Sequence, residues 1–234
     1  MHVKLMRRVA VVAIALVAST LSLVSVSAAP AHAAVATKSH LTVNGKKAVA
    51  VNYGKRVTFD GWVSAPGQCS VCYPGKVQLQ RKVGGGSWTT LATRALSASV
   101  PAPTWKVKPN RSAYYRLRFL GYEDLASPSA SPAVKVTVRR VLNDNWRRSG
   151  RLFYGKVAPA YKNRPIIIQK STCARPRAAS CKWTRLKSIK TNRTSNWKVK
   201  IPVQRRTTHY RAYIAPSNGF GGNTSKYFIT TRRG

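Results

Sequence analysis

Hydrophobic and polar positions alternate with a period of two along most of the chain beyond residue 40. Between Arg56 and Ser64, Val57, Phe59 and Val63 share a face, and Gly61 interrupts the row. Trp105 and Val107 lie opposite Lys106 and Lys108. Tyr115, Leu117 and Phe119 lie opposite Tyr114, Arg116 and Arg118, and Val134, Val136 and Val138 opposite Lys135 and Arg139. This period predicts half-buried antiparallel strands with one face on a core and one in water. No stretch has the 3.6-residue period of an amphipathic helix. Turn chemistry separates the strands: Asn44-Gly45 suggests a tight hairpin turn, and Gly84-Gly85-Gly86 a hairpin tip.

The pattern occurs twice. Val77, Leu79 and Gln80 correspond to Ile166, Ile168 and Gln169; Gly61 and Val63 to Gly155 and Val157. Trp88 and Trp105 correspond to Trp183 and Trp197, and Tyr115-Arg116 to Tyr210-Arg211. From Gln to Trp the first copy runs from residue 80 to 88 and the second from 169 to 183, so the second hairpin tip is longer. The four tryptophans are expected in core or inter-strand contacts.

The expected organisation has four parts. Residues 1–33 read as a signal peptide, with Lys4, Arg7 and Arg8 before an apolar run and a small-x-small site at Ala31-His32-Ala33. A retained membrane anchor is the competing reading. Residues 34–139 form the first β-sandwich repeat and residues 140–149 a linker. Residues 150–234 form the second repeat. Leu142 and Trp146 give the linker apolar side chains to pack.

Some seven short strands per copy, separated by turn signals, imply an all-β fold of two tandem antiparallel sandwiches. Gly61-Trp62-Val63, Val77 to Arg81, Trp88, Trp105 and Tyr114 to Arg118, with their second copies, resemble the immunoglobulin-like and fibronectin-type modules of secreted bacterial, in particular actinobacterial, proteins. The resemblance covers nearly all of the chain after residue 33. It implies a module that binds, spaces or presents, and no more.

Charge narrows the function. The full chain of 234 residues has 42 Lys and Arg against four acids. Removal of residues 1–33 leaves 39 against four, a net charge of +35. Such a surface repels itself, and a polyanion would relieve that. The expected contacts are Arg116, Arg118, Lys135, Arg139, Arg140, Arg147, Arg148, Lys198, Lys200, Arg205, Arg206 and Arg211. The expected partners are anionic cell-wall polymer, acidic polysaccharide or extracellular nucleic acid, met outside the cell, at the wall or beyond it. A protein-binding or spacer module, its charge serving solubility, is the alternative.

Four cysteines in an exported chain suggest two disulfides. Cys173 and Cys181 would staple the long hairpin tip, and Cys69 and Cys72 would close a tighter loop. A redox Cys-x-x-Cys fits poorly without a βαβ pattern, and zinc fits poorly with so few histidines. No cofactor or metal is expected. Catalysis is not expected either: the acids are Asp60, Glu123, Asp124 and Asp144, and after residue 33 the histidines are His40 and His209. His209 reads as a surface histidine, opposite the core face.

Overall fold

The computed structural model describes residues 33–66, 74–97 and 102–231. Among the described residues seventeen strands carry the fold. In the first half these are β1 (Lys38–Val43), β2 (Ala48–Asn52), β3 (Val57–Ser64), β4 (Gly75–Lys82), β5 (Thr89–Leu96), β6 (Thr104–Val107), β7 (Ala113–Phe119), β8 (Ser129–Ala130) and β9 (Val134–Arg139). The second half contains β10 (Val141–Arg147), β11 (Leu152–Ala158), β12 (Pro165–Ser171), β13 (Thr184–Lys190), β14 (Asn196–Lys200), β15 (Thr208–Ile214), β16 (Asn223–Thr224) and β17 (Phe228–Thr230). Among the described residues the helical content is one 3-10 turn at Ser149–Arg151.

Each half pairs a three-stranded sheet with a larger one. In the first half β1-β3-β6 faces β2-β9-β7-β4-β5, with β8 beside β7. In the second, β10-β11-β14 faces β13-β12-β15-β16, with β17 also on β15. The fold is all-β and Ig-like at the level of these layers. The inward half of each alternation fills the space between sheets. Phe59 of one sheet meets Tyr115 of the other with ring centroids 4.5 Å apart. In the second cluster Phe153 meets Trp197 at 4.7 Å and Phe228 at 4.3 Å. Trp105 and Trp197 are only 5% and 4% exposed, in these two cores. Gly61 answers a close approach: a β-carbon there would stand 3.1 Å from Leu117 and 3.2 Å from the Trp105 ring.

Two expectations change. Asn44 and Gly45 do form a turn, both at positive φ, but the chain after it leaves β1. Strand β2 crosses to the other sheet and pairs with β9 in parallel, covering an edge that would otherwise stay open. The segment read as a linker is mostly strand: β10 pairs antiparallel with β11. Leu142 is buried in the second cluster and Trp146 packs against it, which gives this segment a core to join. The expected leader, residues 1–33, lies outside the described residues except for Ala33, and the pair Cys69–Cys72 lies wholly outside them.

Arg140 joins the halves from within. It is 3% exposed, although its position among surface arginines suggested an outward contact. Its guanidinium carbon lies 4.2 Å from the Phe220 ring centre and 4.8 Å from that of Tyr161. Its Nη1 donates to the Ser217 carbonyl at 3.0 Å and to Ser217 Oγ at 3.1 Å. Asn223 Nδ2 donates to the Arg140 carbonyl, and Gly221 N to that of Val138. Burial of the cation pulls its pKa below the ordinary arginine range; Tyr161 opposes that shift and Arg164 adds to it. Residues Ala33–Gly234 accordingly form one unit.

Two stability outcomes follow from this packing. Ile168→Ala, at a fully buried site, should cost about 2–5 kcal/mol in urea unfolding. Arg140→Ala should cost about 2–4 kcal/mol through its lost hydrogen bonds and ring contacts. It should also divide one unfolding transition into two, since each half keeps its own cluster. An unchanged single transition would contradict the assigned role of Arg140.

Candidate anion-binding site

The same three-residue arrangement is built once in each half. Tyr115 and Leu117 point into the core, so Arg116 between them points out; Tyr210 and Ala212 do the same for Arg211. Strand pairing sets Gln80 opposite Arg116 and Gln169 opposite Arg211. In both halves the neighbouring hairpin slips by one residue at this level, between Leu79 and Gln80 and between Ile168 and Gln169. The extra residue is Leu91 in β5 and Leu186 in β13. Such a bulge resets which side chains face outward beyond it. Trp88 and Trp183 then fall on the outer face, beside the arginines.

The contacts match closely. Arg116 Nε donates to Gln80 Oε1 at 2.9 Å, and Arg211 Nε to Gln169 Oε1 at 2.8 Å. The guanidinium carbon of Arg116 stands 4.3 Å from the Trp88 ring centre, and that of Arg211 4.1 Å from Trp183. In the first half Gln80 Nε2 donates to Gln78 Oε1 at 3.0 Å, which fixes the amide with its oxygen toward Arg116. Each arginine is thus oriented through Nε and a flat stack, which leaves its terminal amino groups for a ligand. Burial lowers the pKa of Arg116, helped by nearby Arg118; burial alone lowers that of Arg211. Both stay charged at any ordinary pH, and a cation stripped of some water gains more from an incoming anion.

The other expected contacts divide among several surfaces. Arg118 is exposed opposite Gln78, and Lys135 is exposed opposite Tyr114, its ammonium 5.8 Å from that ring centre. Arg139 is exposed at the end of β9. These three share the outer face of Arg116. Arg147, Lys198 and Lys200 are exposed on the other sheet of the second half. They do not join Arg211. Arg148 lies in the turn before β11, and Arg205 and Arg206 in the loop before β15, all exposed. Arg140, locked inside, takes no part.

Geometry narrows one aromatic reading and corrects another. Of the two places expected for the tryptophans, Trp88 and Trp183 take the inter-strand one: the bulge turns them half-buried onto the outer face, each against an arginine of another strand. His209 does lie opposite the core face, yet it is only 6% exposed. Tyr227 covers it edge-on, with ring centroids 5.5 Å apart.

The halves differ around the shared arrangement. In the second, the hairpin tip is closed by the Cys173–Cys181 disulfide, Cα atoms 5.8 Å apart, and folds over the outer face. With the segment Thr224 to Tyr227 it bounds a cleft of about 730 Å³, whose lining includes Arg211 and Trp183. That segment is pinned by Ser225: its N donates to the Ala212 carbonyl, and Ala212 N donates to its Oγ, both at 2.8 Å. Ser131 makes the same double link to Leu117 in the first half, at 2.9 and 3.0 Å. The residues that follow are Pro132-Ala133 in one half and Lys226-Tyr227 in the other. Arg177, Lys226 and Tyr227 were not among the expected contacts. The longer span from Gln169 to Trp183 was a signal for Arg177; nothing in the sequence marked Lys226 and Tyr227.

The sequence matches no protein-family model and no curated protein. Among solved structures it is similar to the human OSCAR ligand-binding domain, with 15% identity over 82% of this chain and 98% of that one, at a TM-score of 0.31. It is also similar to Escherichia coli alpha-2-macroglobulin activated by porcine elastase, with 13% identity over 81% of this chain and 23% of that one, at a TM-score of 0.28. Likenesses this loose leave the site to be read from its own geometry.

The stack of Arg116 on Trp88 should be measurable. Urea unfolding of Arg116→Gln, Trp88→Leu and the double variant should give a coupling of about 0.5–1 kcal/mol. Arg116→Lys should not restore it, because an ammonium can neither lie flat on the ring nor bond Gln80 through Nε. Strictly additive costs would mean that the two side chains are merely neighbours.

Proposed function

We propose that this chain is a secreted, non-catalytic protein that holds anionic polymers through its lysines and arginines. Anionic cell-wall polymer, acidic polysaccharide and extracellular nucleic acid are the partner classes. The observation that carries this reading is the paired glutamine–arginine–tryptophan arrangement. Each copy holds a guanidinium ready on an outer face, and four acids in the whole chain cannot neutralise 42 cations. The first half surrounds its copy with Arg118, Lys135 and Arg139, a spread suited to successive charges along a strand-like ligand.

Export agrees with the chemistry. The Cys173–Cys181 bridge belongs in an oxidising compartment, and among the described residues no helix is long and apolar enough to cross a membrane. Retention at the wall would follow from the charge itself, without an anchor.

Titration against duplex DNA, a heparin-like polymer and a teichoic-acid-type polymer at several salt concentrations tests the reading. Neutralising about six phosphates of DNA gives a log–log slope near −5, so affinity should fall roughly a thousandfold between about 50 and 200 mM salt. Replacing Arg116, Arg118, Lys135 and Arg139 by Gln should flatten the slope without unfolding the protein, since all four sit off the core. Binding to none of the three polymers at low salt would reject the reading and leave a protein-binding or spacer module in its place.

A further inference from the structure

The cleft of the second half has features that general charge attraction does not require. Three cations converge on it, Arg177, Arg211 and Lys226, and among the described residues lining it none is acidic. Two of them are set by aromatic rings: Arg211 lies on Trp183, and Arg177 stands 5.6 Å from the Tyr227 ring centre. One wall is tied by the disulfide and the other by Ser225. Its volume of about 730 Å³ falls within the roughly 300–1,000 Å³ of small-molecule sites. Beneath Tyr227, His209 keeps Nδ1 buried and without a partner. The first half supplies the internal comparison. It has the same glutamine, arginine and tryptophan, but Pro132-Ala133 and a short glycine tip in place of the two walls.

We propose, resting on the polymer-binding reading above, that this cleft takes one anionic sugar-sized unit of the polymer, whereas the first half grips only its charge. Arg211 presents two terminal amino groups in one plane, a match for the paired oxygens of a carboxylate or phosphate. Arg177 adds charge at one wall; Lys226 adds it at the other, where the Asp144 carboxylate partly offsets it. Arg211 covers one face of Trp183 and Arg177 one face of Tyr227, so a sugar ring would stack on the opposite faces. The shared chemistry is therefore two oxygens of an anionic group carried on a ring of sugar size. A uronic acid and a sugar phosphate are its two sources.

The test is calorimetric titration of the intact, oxidised protein with a glucuronate disaccharide, with glucose 6-phosphate and with glucose. One saturable site per chain is expected for one or both anionic probes, and none for glucose. Which anionic probe binds more tightly identifies the source. Arg211→Gln should weaken binding about tenfold or more, and Tyr227→Ala, which removes the stacking face and exposes His209, should also weaken it. Lys106→Gln, an equal charge loss on a distant exposed face, should leave it unchanged. Arg177→Gln, on the hairpin tip away from the core, tests the same cleft should either variant fail to fold. Two results would overturn the cleft site: no saturable binding of either anionic probe by a protein that still binds polymer with a steep salt slope, or equal losses in Arg211→Gln and Lys106→Gln. Glucose binding as tight as the anions would overturn it as well. Loss of polymer binding at low salt would instead strike the broader reading on which the proposal rests.

Discussion

Cations that no carboxylate can neutralise must be held in place some other way, and in this protein they are laid on aromatic rings. Six of the described cations rest on seven rings: Arg94 on Trp105, Arg116 on Trp88, Lys135 on Tyr114, Arg177 on Tyr227, Arg211 on Trp183, and Arg140 on both Tyr161 and Phe220. A ring attracts a cation without cancelling its charge. An ion pair would have fixed the arginines just as well and left nothing for a ligand. Stacking orders the side chain while its field still reaches outward, so the entropy of positioning it is lost at folding rather than at binding.

Arg140 shows the same device turned inward. A lone buried cation is costly. Two rings and two hydrogen bonds to Ser217 offset that cost. The contact also decides how the halves are joined. Strand β10 follows β9 after a single residue, and the loop that holds Ser217 and Phe220 docks back on the end of β9. The two outer-face arginines therefore belong to one body. Under the proposed function, a polymer held at one of them would present its next charges at a raised local concentration to the other.

The alternation along β7, β9 and β15 made the cores and the outward arginines legible. Period two, once one face is known, fixes the other. The pairing of Gln with Arg was visible only as a correspondence between repeats, because register across strands is not written in one strand's pattern. What stayed hidden depends on long-range packing. Arg140 reads like its basic neighbours until Phe220 and Tyr161, remote in sequence, close over it. His209 sits on the predicted face, but Tyr227 arrives from another segment to cover it. Trp88 and Trp183 were open between core and inter-strand contacts because a one-residue slip in the hairpin decides their face, and no turn signal marks that slip.

The differences between the halves are small in sequence and large in consequence. Ser131 and Ser225 pin equivalent segments to equivalent strands, so the residues just beyond them start from the same place. Pro132-Ala133 offers neither charge nor an aromatic ring; Lys226-Tyr227 offers both. The opposite wall differs by hairpin length, and a tip as long as the second needs ordering if it is to shape a cleft. The Cys173–Cys181 bridge supplies that order by closing a short loop, in a region without a hydrophobic cluster of its own. One β-framework thus carries an open arginine in one half and an enclosed arginine in the other. Under the proposed function the open one would suit any anionic strand, and enclosure is what would let the second distinguish the ring that bears the charge from the charge alone.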